Sequence, residues 1–128
     1  MRLLLDSHVF VWMHDQPNKL SPAVKNALTD PANQIFLSVA SAWELQIKII
    51  LGKFGLIDKL ENVITQQRQA NNLQMLPVEL SHILYLENIP FHHKDPFDRI
   101  LIAQAAAENM TLVSADRHFS NYKVSLLW

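Results

Sequence analysis

Short apolar runs, each closed by an acid at a strand-to-helix junction, constrain this chain more than any other feature. Leu3 to Leu5, Ile35 to Val39 and Thr111 to Ser114 do not alternate apolar with polar residues. Each therefore reads as a strand buried on both faces, and stretches of helical character separate them. That is the pattern of a parallel sheet covered on both sides by helices. Leu73 to Val78 and Val124 to Leu127 supply two further strands. The expected fold is a three-layer α/β/α domain with a central parallel sheet. Right-handed crossovers bring every strand's C-terminal end to one edge, where such folds bind their ligands.

The helices between the strands carry their own signals. Ser7 to His14 follows the first strand. Ser21-Pro22 opens a second helix, with serine as N-cap and proline at the first helical position, and that helix ends near Asp30-Pro31. Ser41 begins a third, ended by Gly52 after about Leu51. Ile57 to Ala70 reads as a fourth, with apolar residues offered to a partner or a second copy. Ser81 to Glu87 is a short fifth. Asp95-Pro96 opens the clearest helix, running to about Asn109, and its alanines favour close packing on a sheet. With 128 residues, 49% hydrophobic and 18% charged, the chain is expected to form a single domain over 1–128.

Composition excludes several functions. Lys+Arg is 11 and Asp+Glu is 12, a net charge of −1, so nucleic acid is not held here by bulk positive charge. Contact with it must be local or bridged by cations. Cysteine is absent, which removes disulfides, thiolate nucleophiles and cysteine-ligated zinc. No apolar run reaches the roughly 18 residues of a membrane span. The start is too briefly apolar for a secretory signal. A complete, cytoplasmic protein with no membrane partner is the expectation.

Asp6 ends the first strand, Glu44 lies in the first turn after the second, and Asp116 follows the fourth. Asp98 lies in the first turn of the helix that precedes the fourth strand. Each has a local explanation. Ser41-Ala42-Trp43-Glu44 matches a capping box, Asp95 can cap its helix, and Asp6 and Asp116 can each cap the next segment of chain. Caps do not require these helix starts to meet. If they do meet, the carboxylates repel unless a hard divalent cation neutralises them, and such a cation can activate water for phosphodiester hydrolysis. An aspartyl-phosphate receiver or phosphatase is disfavoured, because Ser7-His8 follows Asp6 where a second acid is needed.

The order of Leu3-Leu4-Leu5-Asp6-Ser7-His8, Ser38-Val39-Ala40-Ser41-Ala42-Trp43-Glu44-Leu45, His93-Lys94-Asp95-Pro96-Phe97-Asp98-Arg99 with Ile102-Ala103-Gln104-Ala105, and Leu112-Val113-Ser114-Ala115-Asp116 resembles the PIN-domain ribonucleases. The likeness is to the VapC-type toxins of type II toxin–antitoxin pairs, and it spans essentially the whole chain. It implies that Asp6, Glu44, Asp98 and Asp116 are the catalytic and metal-binding acids for Mg²⁺ or Mn²⁺. It maps the family's small hydroxyl residue onto Ser114, beside the metal's water. It further implies cleavage of single-stranded RNA to a 3′-hydroxyl and a 5′-phosphate, a homodimer, and a cognate antitoxin whose C-terminal segment covers the site. Alternatives are a housekeeping PIN nuclease in RNA processing and a catalytically silent binding module.

Other side chains are weighed against plainer roles. Arg99 stands four residues after Asp95, the spacing of a helix ion pair, and is also a candidate for an RNA phosphate. Lys48 and Lys53 suit a helix C-terminus and are candidate phosphate contacts too. Arg117 is the better candidate because it adjoins Asp116. His8, His92, His93 and His118 are read as surface or hydrogen-bonding residues. Trp12 and Trp43 are read as core, with base stacking the less favoured role.

Overall fold

The computed structural model describes residues 1–56, 58–92 and 94–128. The central sheet holds β1 (Arg2–Leu5), β2 (Gln34–Ser38), β3 (Gln74–Leu76), β4 (Thr111–Val113) and β5 (Ser125–Leu127). Their spatial order is β3-β2-β1-β4-β5, and every pairing is parallel. β1 is central, and Leu3, Leu4 and Leu5 are fully buried because helices cover both faces. Successive side chains point to opposite faces. Leu3 and Leu5 accordingly join one core with Val9, Phe10 and Val24, while Leu4 joins the other with Ile102, Leu112 and Phe119.

The helices are α1 (Ser7–Asp15), α2 (Pro22–Thr29), α3 (Val39–Ile50), α4 (Leu60–Asn71), α5 (Leu80–Tyr85) and α6 (Pro96–Ala107). Short 3-10 turns at Pro17–Lys19, Leu86–Asn88 and Arg117–Asn121 were not signalled by the sequence. Ser21 caps α2 as expected, accepting from Val24 N. Asp95 caps α6 by accepting from the Phe97 and Asp98 amides. Gly52 ends α3 at φ 68°, a left-handed conformation that costs glycine nothing. Asn109 does the same after α6, at φ 55°, which stops that helix two residues early.

Three expectations are corrected. The capping box at Ser41 does not form: α3 begins at Val39, capped by Ser38, whose hydroxyl accepts from Ala40 N. Ser41 is thus inside the helix, and Glu44 lies in its second turn. The expected start of the fourth helix at Ile57 falls outside the described residues, and α4 itself begins at Leu60. Its apolar residues do not face a partner, because Val63 is buried and Leu60 and Ile64 pack on the same core. Trp43 is not core either: it is 63% exposed.

The uncovered apolar surface lies between α3, α5 and α6 instead. There Val39, Trp43, Val78, Ile83, Leu86 and Phe97 line a groove of about 500 Å³. Among the described residues no helix is long and apolar enough to cross a membrane.

Candidate active site at the C-terminal edge of the sheet

Parallel pairing brings the ends of β1 and β4 side by side, with Leu5 opposite Val113. Asp6 is the next residue, and its amide donates to Val113 O at 3.1 Å. One oxygen of its carboxylate, Oδ1, caps α1 by accepting from Val9 N at 2.8 Å. The other, Oδ2, accepts a short hydrogen bond from the Ser114 hydroxyl. Ser114 Oγ in turn accepts from Asp116 N at 3.0 Å. Asp6, Ser114 and Asp116 are therefore one hydrogen-bonded unit joining two neighbouring strands.

Asp6 and Ser114 are buried, whereas Asp116 opens to solvent. Burial pushes the Asp6 carboxyl above its ordinary range, opposed by the bonds from Ser114 and Val9 and by nearby His8. Asp116 Oδ1 accepts from His118 N and lies 2.9 Å from His118 Nδ1. The cap reading thus holds for Asp6, Asp95 and Asp116, and two of those caps also belong to the site.

The other two acids stand on α3 and α6. Glu44 is buried on α3, with Oε2 3.4 Å from Lys48 Nζ. It shares a depression of about 420 Å³ with Ile47, Lys48, Lys94, Asp95 and Phe97. Trp43 of α3 meets Phe97 of α6 edge-on at 5.3 Å, which locks the two helices together here. Asp98 follows Phe97, half-buried in the first turn of α6. Ser114 thus joins Asp6 to Asp116, and Glu44 shares one depression with the start of α6. Among the described residues no three acids or histidines stand close enough to cage an ion.

This donor set fits one kind of metal. Every candidate donor is a hard oxygen, and Asp6 is a buried carboxylate whose charge needs compensation. Magnesium is commonly held through one or two carboxylates, with water and substrate phosphate completing its shell. Asp6 with its neighbours suits that arrangement; an all-protein cage is not present among the described residues.

The cationic candidates divide. Arg117 is exposed beside Asp116, at the rim. Lys48 is tied to Glu44. Lys53 is exposed beyond Gly52, more than two helical turns past Glu44. Arg99 does not pair with Asp95. Its guanidinium donates to Pro90 O at 3.0 Å and Ile89 O at 3.4 Å, and lies 4.3 Å from the centre of the Phe91 ring. It clamps the segment leading into α6, a role that only a long-range carbonyl contact reveals. Lys94, which lines the Glu44 depression, was overlooked, since a lone lysine in a loop has no pattern. His8 and His118 are exposed as expected, and His92 packs edge-on to Tyr122 at 5.0 Å. The expectation for His93 lies outside the described residues.

The PIN-domain family model matches residues 3–124. The chain belongs to the PIN-domain family. A search of curated proteins finds no match to this PIN domain. Several solved structures share its fold. A chain of VapBC2 from Rickettsia felis, bound to a DNA fragment from its promoter, superposes with a TM-score of 0.76 at 18% identity, covering 99% of this chain and 98% of that one. A chain of FitAcB from Neisseria gonorrhoeae gives 0.66 at 19% identity, covering 98% and 96%. A chain of VapBC-5 from Mycobacterium tuberculosis, a member of the VapBC family of toxin–antitoxin systems, gives 0.61 at 15% identity, covering 98% and 95%. At these identities the likeness establishes the shared fold of the PIN domain and nothing finer.

Proposed function

We propose that this PIN domain is a Mg²⁺- or Mn²⁺-dependent endoribonuclease that acts as the toxin of a type II toxin–antitoxin pair in the cytoplasm. The observation that carries the reading is the Asp6–Ser114–Asp116 unit at the sheet's C-terminal edge. Asp6 serves as a cap, but its buried second oxygen, beside the carboxylate of Asp116, suits a cation ligand. The cation would supply positive charge against the phosphate and a more acidic, better oriented water.

The chain's own residues do the rest. Val9 N–H and the Ser114 hydroxyl fix both oxygens of Asp6, so the carboxylate cannot rotate away. Asp116 is set beside it through its amide. Glu44 on α3 and Asp98 on α6 are the acids proposed to orient the attacking water and take its proton. Water adds to phosphorus, the bond to the 3′ oxygen breaks, and that oxygen leaves as a hydroxyl by taking a proton from solvent, while the 5′-phosphate stays on the other fragment. Lys48, Lys53, Lys94 and Arg117 are the cations available to neighbouring phosphates, while Arg99 holds the loop that presents α6.

The toxin role draws on the toxin–antitoxin systems named among the structural neighbours. A homodimer and an antitoxin are the expected protein partners, and exposed apolar surface such as the Trp43 groove is what partners cover. Purified protein with Mn²⁺ should cut single-stranded RNA, EDTA should stop it, and Asp98→Asn should lower the rate by at least about 100-fold. Absence of metal-dependent cleavage would leave a silent binding module. Growth arrest on expression, relieved by Asp6→Asn, separates a toxin from a housekeeping nuclease.

A further inference from the structure

The edge that carries the acids also carries a row of aromatic rings, and strand register fixes its place. Leu5, Val113 and Leu127 lie side by side on β1, β4 and β5. The next residue on each strand, Asp6, Ser114 and Trp128 in turn, leaves the sheet at one level. Ser114 N donates to Leu127 O at 3.2 Å, just as Asp6 N donates to Val113 O. Neighbouring strands lie about 4.8 Å apart, so the backbone of Trp128 is roughly 10 Å from that of Asp6. That is within reach of a nucleotide next to a phosphate held at Asp6.

The indole of Trp128 packs against Trp12 of α1, with ring centres 5.9 Å apart. Trp12 packs against His8, one turn nearer to Asp6, also at 5.9 Å. The ammonium of Lys19 sits 5.5 Å from the centre of the Trp12 ring. Trp12 is anchored against the core, but Trp128 is 40% exposed, and His8 and Lys19 are open to solvent. A tryptophan that served only to pack would be better covered, and a surface for an apolar protein partner would not be edged by a histidine and a lysine. Rings tilted against one another by 47° and 60° beside a cation, with Trp128 partly open to solvent, offer a base a face on which to stack, as single strands are held without reading their sequence.

We propose that His8, Trp12 and Trp128 form a stacking platform for a base of single-stranded RNA beside the cut, with Lys19 available to that nucleotide's phosphate. The platform rests on the RNA-cleaving reading above, and its test separates the two. Steady-state cleavage of a short single-stranded RNA in Mn²⁺ is measured for wild type, Trp128→Ala, Trp128→Phe and His8→Ala, with thermal melts to check folding. Loss of one stacked base predicts a KM about ten-fold higher for Trp128→Ala with kcat within about two-fold. Trp128→Phe should restore most of the loss, and the exposed His8→Ala should raise KM about three-fold. An abasic position scanned along the substrate should, next to the cut, cost wild type a similar factor and cost Trp128→Ala nothing more.

Cleavage by wild type with an unchanged KM in Trp128→Ala and in His8→Ala overturns the platform and leaves the nuclease standing. If wild type does not cleave, the nuclease reading has failed, and RNA titration in EDTA decides the platform alone. Quenching of indole fluorescence in Trp43→Phe protein, with affinity lowered by Trp128→Ala, supports it. An RNA titration that leaves the fluorescence unchanged overturns it.

Discussion

Asp6 does two jobs that pull against each other. As an N-cap it stabilises α1 by roughly 1 kcal/mol. As a buried carboxylate it carries a charge that the metal-free fold does not welcome, since burial raises its pKa. In the window between its ordinary value of 3.8 and its raised folded value, the unfolded chain has already released a proton that the folded chain retains. Stability in EDTA therefore falls as pH rises through that window, and the penalty is fully present at neutral pH. Asparagine caps as well as aspartate and bears no charge. Asp6→Asn should melt about 2–5 °C above wild type in EDTA at pH 7. Under the proposed function, added Mg²⁺ should raise the wild type and not the variant, narrowing or reversing the order while the variant is inactive. Thermal melts with and without metal check both halves. A buried histidine at the opposite edge shows the other kind of residue. His82 Nδ1 accepts from Glu79 N at 3.0 Å and its Nε2 lies 2.8 Å from Glu108 Oε1, while Arg2 at the start of β1 reaches the Glu108 carbonyl. His82→Ala should cost about 2–4 kcal/mol by leaving a cavity where the fully buried ring packed and by losing its bonds to Glu79 and Glu108. Chemical denaturation measures that cost, and cleavage in the cold should survive it.

At the scale of elements, the site depends on where helices begin. α6 starts at Pro96 because Asp95 caps it, and that start places Asp98. Asp95→Ala should cost about 1 kcal/mol and lower cleavage several-fold, whereas Asp95→Asn should be near wild type in both; denaturation and initial rates test the pair. Caps and proline positions are local, which is why α2 and α6 were legible from Ser21-Pro22 and Asp95-Pro96. The parallel sheet was legible too, because residues buried on both faces leave a strand no polar alternation. Glu44 was not placed correctly by the same logic. Two serines, Ser38 and Ser41, could each begin α3, and the choice fell to Ser38, where β2 still pairs with Leu76. Trp43 misled because helical spacing beside apolar neighbours does not say which stripe meets the core. Arg99 and Trp128 gained their roles from contacts distant in sequence or across strands, with Ile89 and Pro90 and with Trp12. The link from Asp6 through Ser114 to Asp116, and the depression that Glu44 shares with the start of α6, depend on how strands and helices pack, which no local pattern encodes.

For the whole molecule, charge sets how RNA would be held under the proposed function. A net charge of −1 leaves no general attraction for a polyanion. Affinity must come from a few cations at the rim, from the metal, and from contacts that carry no charge. Each phosphate neutralised on a single strand contributes about −0.7 to the slope of log affinity against log salt. Lys19, Lys48, Lys53, Lys94 and Arg117 together predict a slope of about −3.5 with the nuclease-silent Asp98→Asn protein, shallower than for a basic nucleic-acid binder. Removing one of these cations, as in Arg117→Gln, should weaken binding and flatten the slope by about 0.7. Removing a stacking ring should weaken binding and leave the slope where it was, since no counterion is released. Fluorescence anisotropy of a labelled RNA across a potassium chloride series makes the comparison. A steep slope, or a Trp128→Ala slope that flattens like that of Arg117→Gln, would mean that phosphate contacts hold the strand and that the aromatic row does not.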